Sequence, residues 1–134
     1  MAKTYTLNVA GLTRELTICK VNDHMDIAAF IMLGDAELTV AAATELLKKC
    51  PEFDILLTAE AKGIPLAHEM SRQSGKRVLV VDDVISTGGS LKALDALAEQ
   101  TQCTIVGQAA VLAEGDAAER KDIIFLEPLP LFLH

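Results

Sequence analysis

The sequence predicts a layered α/β domain built on a parallel sheet of about four strands, with an N-terminal β-hairpin element. Hydrophobic residues make up 51% of the chain and aromatic residues only 4%, a composition typical of aliphatic layered packing. In the second part of the chain, strand-like and helix-like segments alternate with short connections, which predicts parallel strands joined by right-handed crossovers. The 134 residues suggest one domain, 1–134, with a β-rich element at 1–34 and an α/β core at 35–134.

The N-terminal third contains a predicted hairpin and a predicted helix. "TYTLNVAG" and "RELTICKVN" alternate apolar and polar residues around Gly11, which indicates two strands with one face in water. "MDIAAFIMLGD" is mostly apolar, and its pattern does not decide between helix and strand. "DAELTVAAATELLKKC" predicts a helix with Asp35 as its N-cap and Lys48 and Lys49 in its last turn. Pro51 ends this helix.

The remaining segments predict the core of the sheet. "DILLTA" and "RVLVVDD" are short apolar runs of the kind found in strands buried on both faces. Between them, "GIPLAHEMSRQSG" predicts a helix with Pro65 in its first turn and Gly75 as its C-cap. "SLKALDALAEQ" predicts the next helix, "CTIVGQAAVLAEG" and "IIFLEPLPLF" the last two strands, and "DAAERKD" one helical turn. Ligands bind such sheets at the carboxyl ends of the strands, here "TAEAKG", "VDDVISTGGS" and "LAEGD".

The end of the second core strand carries the main functional signal. Asp82 and Asp83 are adjacent carboxylates beside a buried strand, and unpaired buried charge is costly, so a hydroxyl pair, a cation or a metal is expected there. A hydroxyl- and glycine-rich loop follows and leads into a helix N-terminus, which is a typical phosphate cradle. The predicted phosphate-binding residues are Ser86, Thr87, Gly88, Gly89 and Ser90. A phosphorylated sugar satisfies both halves, because it has one anionic end and several hydroxyl groups.

Several other classes of function fit the sequence poorly. A net charge of −7 gives no basic footprint for nucleic acid. No apolar run approaches the roughly 18 residues of a membrane span, no leader is apparent and the three cysteines are scattered, so we expect a cytoplasmic protein. The histidines His24, His68 and His134 lack metal-ligand spacing. A Walker A loop would need a lysine after the glycines, and a signalling receiver domain would carry its acidic pair on the first strand.

Two segments resemble a known family. "VLVVDDVISTGGSL" closely resembles the phosphoribosyl pyrophosphate signature of type I phosphoribosyltransferases, and "DILLTAEAKGIPLAHEMSRQSG" is similar to the pyrophosphate loop and following helix of the adenine-type purine branch. The resemblance implies purine salvage: a purine nitrogen displaces pyrophosphate from phosphoribosyl pyrophosphate, with Mg²⁺ as cofactor. It assigns Asp82 and Asp83, as catalytic residues, to the ribose hydroxyls or the Mg²⁺, and residues 86–90 to the 5′-phosphate. It assigns the pyrophosphate loop to Glu60, Ala61, Lys62 and Gly63.

The resemblance also implies that an internal segment is missing. Family members carry a further strand, ending in an Arg-Lys pair, and a flexible hood hairpin before the signature strand, whereas here "SRQSGK" runs straight into "RVLVVDD". This implies a deletion near Gly75–Lys76 and a smaller Rossmann-like or flavodoxin-like three-layer sheet. "DILLTA" would then be an exposed edge at which two chains could pair as a homodimer, although the sequence does not decide the number of subunits.

Two hypotheses about function remain open on the sequence alone. The chain is either a phosphoribosyltransferase derivative that binds phosphoribosyl pyrophosphate or a nucleotide 5′-phosphate, or a non-catalytic deletion variant. The second hypothesis covers an engineered scaffold and an evolutionary intermediate, each retaining at most the phosphate loop. Two apolar segments also keep alternative readings. "AAFIML", with Phe30 and Met32, fits core packing or a purine pocket, and "EPLPLFLH" fits a last strand, a pocket wall or a dimer contact.

Overall fold

A computed structural model describes residues 3–59, 61–75, 77–100 and 105–133. The strands described are β1 (Thr4–Val9), β2 (Leu12–Asn22), β3 (Met25–Ala28), β4 (Ile55–Thr58), β5 (Arg77–Ile85), β6 (Gln108–Glu114), β7 (Ile124–Leu129) and β8 (Leu131–Leu133). The helices described are α1 (Ala36–Lys49), α2 (Ile64–Ser74), α3 (Gly89–Gln100) and a 3₁₀ helix (Gly115–Glu119). None of these helices is long and apolar enough to cross a membrane.

The N-terminal strands form an antiparallel sheet in the order β1-β2-β3-β8. The predicted hairpin is confirmed: β1 pairs with β2 across a tight turn in which Ala10 and Gly11 both have positive φ, 52° and 77°. The apolar run after the hairpin begins as strand β3 and continues as irregular chain. The C-terminal segment "LFL" leaves the core and pairs with β3 as β8, where Phe132 meets Tyr5 edge to face at 6.0 Å between ring centroids. The predicted division at residue 34 does not account for this pairing, because β8 belongs to the C-terminal segment in sequence but to the N-terminal sheet in the fold.

An arginine from the antiparallel sheet is tied to the start of α1. Asp35 caps the helix as predicted, accepting a hydrogen bond from the Leu38 backbone N–H at 3.0 Å. Arg14 Nε lies 2.7 Å from Asp35 Oδ2, and its Nη2 lies 2.8 Å from Glu37 Oε2. The guanidinium holds the pKa of the Asp35 carboxyl below its usual range. The same carboxylate therefore caps the helix and fixes the sheet against it.

The second sheet is the predicted parallel one, in the order β4-β5-β6-β7. On one face, α1 and α2 bury a core that includes Met70 and Val81. On the other face, α3 and the 3₁₀ helix bury a second core that includes Leu91, Ala117 and Val80. Because successive strand residues point to opposite faces, Val80 and Val81 mark the two sides of the sheet. The α/β core is therefore a parallel sheet between two helical layers.

The crossovers of this sheet do not all have the same hand, so that part of the prediction is wrong. The chain steps in one direction from β4 to β5 and from β5 to β6, yet α2 and α3 lie on opposite faces. Equal steps with helices on opposite faces require opposite hands. The connection from β6 to β7 shares the face and the hand of α3. About 98% of such crossovers are right-handed. We therefore infer that the two connections of the same hand, from β5 to β6 and from β6 to β7, are right-handed and that β4–α2–β5 is the left-handed exception.

Strand β4 forms one edge of the parallel sheet, as expected for the "DILLTA" segment. Ile55 is 42% exposed, and Leu56 and Thr58 are half-buried, so the expectation of burial on both faces is wrong. An edge strand has a neighbour on one side only, and this accounts for the exposure.

Helix α2 has the predicted signals at both ends: Pro65 lies in its first turn, and Gly75 ends it at φ 68° with its N–H bonded to the Ser71 carbonyl at 2.9 Å. Lys76 lies outside the described residues.

Candidate functional site

The main cavity opens where β4 and β5 end side by side. Helices α2 and α3 leave these two strands on opposite faces, and such a divergence leaves a crevice above the carboxyl ends of the strands. The cavity holds about 700 Å³. One wall comes from the antiparallel sheet and the others from the ends of β4, β5, β6 and β7. The lining residues are Ile27, Ala28, Ala29, Phe30, Ile31, Ala59, Ala61, Lys62, Asp82, Asp83, Val84, Ser86, Ser90, Glu114 and Leu129.

The two aspartates lie within β5 and face this cavity together. The Asp83 backbone N–H donates to Asp82 Oδ1 at 2.9 Å, and the Val84 N–H donates to Asp83 Oδ1 at the same distance. Asp83 is only 4% exposed, and its Oδ2 is buried without a hydrogen-bond partner. A buried carboxylate oxygen with no partner is costly. It therefore indicates a place for a ligand hydroxyl or a cation.

The Asp82 carboxyl has a perturbed pKa. Desolvation by burial, together with a side-chain hydrogen bond to Asp83 and the charge of Asp83, raises the pKa of Asp82 from 3.8 to about 6. The hydrogen bond from the Asp83 backbone N–H and the Lys62 ammonium act in the opposite direction. A group that favours ionisation of Asp82, such as a bound cation, would therefore bind more tightly as the pH rises through this range.

The loop after β5 forms a smaller cavity of about 220 Å³ that adjoins the first. It is lined by the predicted phosphate-binding residues, Ser86, Thr87, Gly88, Gly89 and Ser90, together with Asp82, Val84, Ile85 and Leu91. Gly88 has φ 78°, a conformation that favours glycine, and its carbonyl accepts a hydrogen bond from the Lys92 N–H at 3.1 Å. Helix α3 begins at Gly89, so the unpaired N–H groups of its first turn belong to this loop.

The predicted pyrophosphate loop lies on the β4 side of the main cavity. Ala61 and Lys62 line it. Gly63 packs so closely that a Cβ atom there would lie 2.2 Å from Thr58 Oγ1 and 3.3 Å from the Val81 carbonyl oxygen. The glycine therefore lets the start of α2 approach the end of β5, beside the aspartates. Glu60, the remaining predicted member, lies outside the described residues.

Some lining residues were not predicted as site residues. Glu114 ends β6 and Leu129 ends β7. The signal for Glu114 was its position at the carboxyl end of a predicted strand, whereas Leu129 lay inside the predicted segment "IIFLEPLPLF". Phe30 lines the cavity and is also buried in the core, as the core-packing reading of "AAFIML" predicts, whereas its purine-pocket reading stays a prediction. Met32 is fully buried in the core, whereas Ile31 is 67% exposed and lines the cavity.

The chemistry of the aspartate pair is compatible with a magnesium ion that substrate phosphates help to hold. Among the residues that the structure describes, no three His, Cys, Asp or Glu side chains gather closely enough to hold a metal by themselves. Hard cations prefer carboxylate oxygens, and Mg²⁺ is usually bound through one or two carboxylates together with substrate phosphates. The unpartnered Asp83 Oδ2 is such an oxygen.

Known proteins match the part of the chain that carries this site. Residues 73–128 match the phosphoribosyl transferase domain family. The adenine phosphoribosyltransferase of Xanthomonas campestris pv. campestris (strain B100) is 55% identical over 47 residues, which is 35% of this chain and 25% of that protein. The adenine phosphoribosyltransferase of Symbiobacterium thermophilum is 41% identical over 54 residues, 40% of this chain and 32% of that protein. The chain thus matches about a quarter to a third of the length of these relatives.

Proposed function

This chain is a relative of the type I phosphoribosyltransferases, on their adenine-type branch, and from that premise we propose that it binds phosphoribosyl pyrophosphate or a nucleotide 5′-phosphate. One observation carries the proposal: Asp82, Ser86 and Ser90 line both the loop cavity and the main cavity. A phosphate in the loop would place its sugar beside the aspartates. The ligand therefore spans the two cavities, with its anionic end in the loop.

The aspartates hold the sugar in this proposal. Asp83 Oδ2 accepts a hydrogen bond from a ribose hydroxyl, which would remove the cost of leaving that oxygen buried and unpaired. Asp82 contacts the neighbouring hydroxyl or the Mg²⁺ that accompanies the substrate. When bound, this ion would neutralise charge on the pyrophosphate and draw Asp82 into its ionised form.

The remaining cavity walls suit the leaving group and the base. Ala61 and Lys62 line the main cavity, and in this proposal they lie beside the pyrophosphate, whose charge the Lys62 ammonium partly neutralises. Ile27, Phe30 and Leu129 give an apolar wall for a purine ring. Displacement at C1 of the sugar has oxocarbenium character, so these residues contribute by orienting the two reactants and excluding water.

A second candidate, a non-catalytic scaffold with a working phosphate loop, is favoured by the unusual crossover. If a further strand lay outside β4, α2 would lead to it by a right-handed crossover. The strand order would then become 2-1-3-4-5, as in flavodoxin-like sheets. We therefore propose that a strand-bearing segment is absent between α2 and β5, leaving a reduced Rossmann-like or flavodoxin-like sheet. Whatever that segment contributed to transfer would be absent too.

Calorimetry and a turnover assay separate the two candidates. Binding would be measured with phosphoribosyl pyrophosphate and Mg²⁺, with adenosine monophosphate and with inorganic phosphate, and turnover as conversion of adenine to its nucleotide. Binding with turnover supports the transferase, and binding without turnover supports the scaffold. Absence of binding to all three ligands overturns both.

Two variants test the assigned residues. Asp83→Asn should weaken nucleotide binding by roughly ten- to a hundredfold, the usual effect of a lost hydrogen bond to a charged group, with little change for inorganic phosphate. Asp23→Asn is the matched control, because Asp23 is an exposed partner of Lys20 at 2.6 Å.

Gly89→Val should block phosphate binding with a modest loss of stability, and persistent binding would show that the loop is wrongly assigned.

A further inference from the structure

A guanidinium group lies against the back of the phosphate loop. A Cβ atom on Gly88 would come within 2.8 Å of Arg120 Nη1, and no other heavy atom outside residues 87–89 would lie within 4 Å of that position. Arg120 follows the 3₁₀ helix, and its backbone N–H bonds to the Ala117 carbonyl at 3.2 Å. The β6–β7 connection therefore brings a cation to a loop that lies far away in the sequence.

The guanidinium is held in one orientation. Nε and Nη2 donate to the two carboxylate oxygens of Asp122 at 2.9 and 2.5 Å. The nearby charge of Asp95, on α3, adds to the field that keeps Arg120 ionised. Nη1 donates no hydrogen bond within the part of the chain that the structure describes. The nitrogen nearest the loop is therefore the one that Asp122 leaves unused.

We propose that Arg120 is a positioning residue for anion binding by residues 86–90, an inference that rests on the proposed function. Its guanidinium supports Gly88 in the left-handed conformation and adds positive potential behind the loop. Arg120 does not line either cavity, so it acts through the loop and its field rather than as a direct ligand. In a chain of net charge −7, one fixed cation beside the cradle offsets part of the general repulsion of a phosphate.

The test compares Arg120→Gln with Arg120→Lys and Lys20→Gln. Lys20→Gln removes the same unit of charge from an exposed ion pair elsewhere. Binding of inorganic phosphate and of adenosine monophosphate would be measured by calorimetry at low and high ionic strength, with thermal unfolding as the measure of stability. We expect Arg120→Gln to weaken both ligands about tenfold at low salt, the effect of one partly screened charge several ångströms away.

The salt dependence and the lysine variant separate this role from a merely structural one. The loss in Arg120→Gln should shrink at high salt, and Arg120→Lys should recover part of the affinity because it keeps the charge without the paired geometry. Lys20→Gln should bind like the unmodified protein. If the unmodified protein binds phosphate and Arg120→Gln binds equally well, or if Lys20→Gln loses as much, this inference fails alone. If the unmodified protein binds neither ligand, the proposed function fails with it.

Discussion

The two strand–helix–strand units that share β5 differ in hand. In β5–α3–β6 the helix covers the face expected for a right-handed crossover, whereas in β4–α2–β5 the helix covers the opposite face. The divergence of α2 and α3 opens the crevice above Asp82, so the cavity depends on the unit with the exceptional hand. The crevice that suits a ligand therefore coincides with the least favoured connection of the sheet.

The largest effect should come from core truncations in the two units. Leu66 on α2 and Leu91 on α3 are both almost fully buried, and leucine-to-alanine changes in cores cost about 2–5 kcal/mol. We expect Leu66→Ala to lie at the upper end of this range, because its core is continuous with residues of the antiparallel sheet. Urea unfolding of both variants measures the difference. A larger loss for Leu91→Ala would contradict it.

Alanine substitutions at one glycine in each unit test how closely each helix start packs against the sheet. Gly63→Ala should lower the free energy of unfolding by about 1–3 kcal/mol, because its Cβ meets Thr58 Oγ1 and the Val81 backbone. Gly89→Ala should be neutral or stabilising by up to about 1 kcal/mol, because its Cβ meets only Thr87 Oγ1 at 3.8 Å. Thermal unfolding of both variants is the measurement. Equal losses would show that the close approach at α2 is not the constraint.

Urea unfolding at several pH values tests the Asp82 carboxyl, which lies on β5, the strand that both units share. The pKa of Asp82 is higher in the folded protein, so its contribution is present below pH 3.8 and is lost as the pH rises through about 6. Asp82→Asn should remove this dependence and raise stability at neutral pH by about 2 kcal/mol, allowing for partial exposure. Glu69, whose pKa falls to about 2, acts oppositely below pH 4.5. If the unmodified protein and Asp82→Asn have the same dependence of stability on pH, the raised pKa of Asp82 is wrong.

The smallest effect on stability is expected at the open edge of the sheet. Ile55 is exposed on β4, so Ile55→Lys should change the free energy of unfolding by no more than about 0.5 kcal/mol. If two chains pair through β4, as the sequence predicts, the added lysine should shift the protein to monomers in sedimentation velocity. Val21→Lys, at an exposed site in β2, is the control. A dimer that survives Ile55→Lys would place the association elsewhere.

Local signals predicted the elements well, because their causes lie within a few residues. Asp35, Pro65 and Gly75 act through the first or last turn of a helix, and each lies where its residue type predicts. The strand after Pro130 was not predicted to change sheets, because that depends on β3, near the other end of the chain. The hand of the α2 crossover was mispredicted for a similar reason: handedness depends on which face a helix covers.

The site was predictable where residues lie close together in sequence. Residues 82–90 form one strand end and one loop, so their grouping follows from the local pattern alone. Arg120 could not be found in this way, because its approach to Gly88 depends on the β6–β7 connection. The signal for Glu114 was present, since it ends a predicted strand, but it was not read as a site residue.

The pairing of β8 with β3 also bears on how the molecule is made. Met25 lies opposite Leu133, so this antiparallel sheet closes between residues separated by nearly the whole chain. A growing polypeptide on the ribosome can complete the β1–β2 hairpin early, but the last strand of the sheet arrives only when synthesis has reached Leu133. Long-range contacts of this kind slow folding. Until β8 pairs with β3, one edge of β3 is open to other chains.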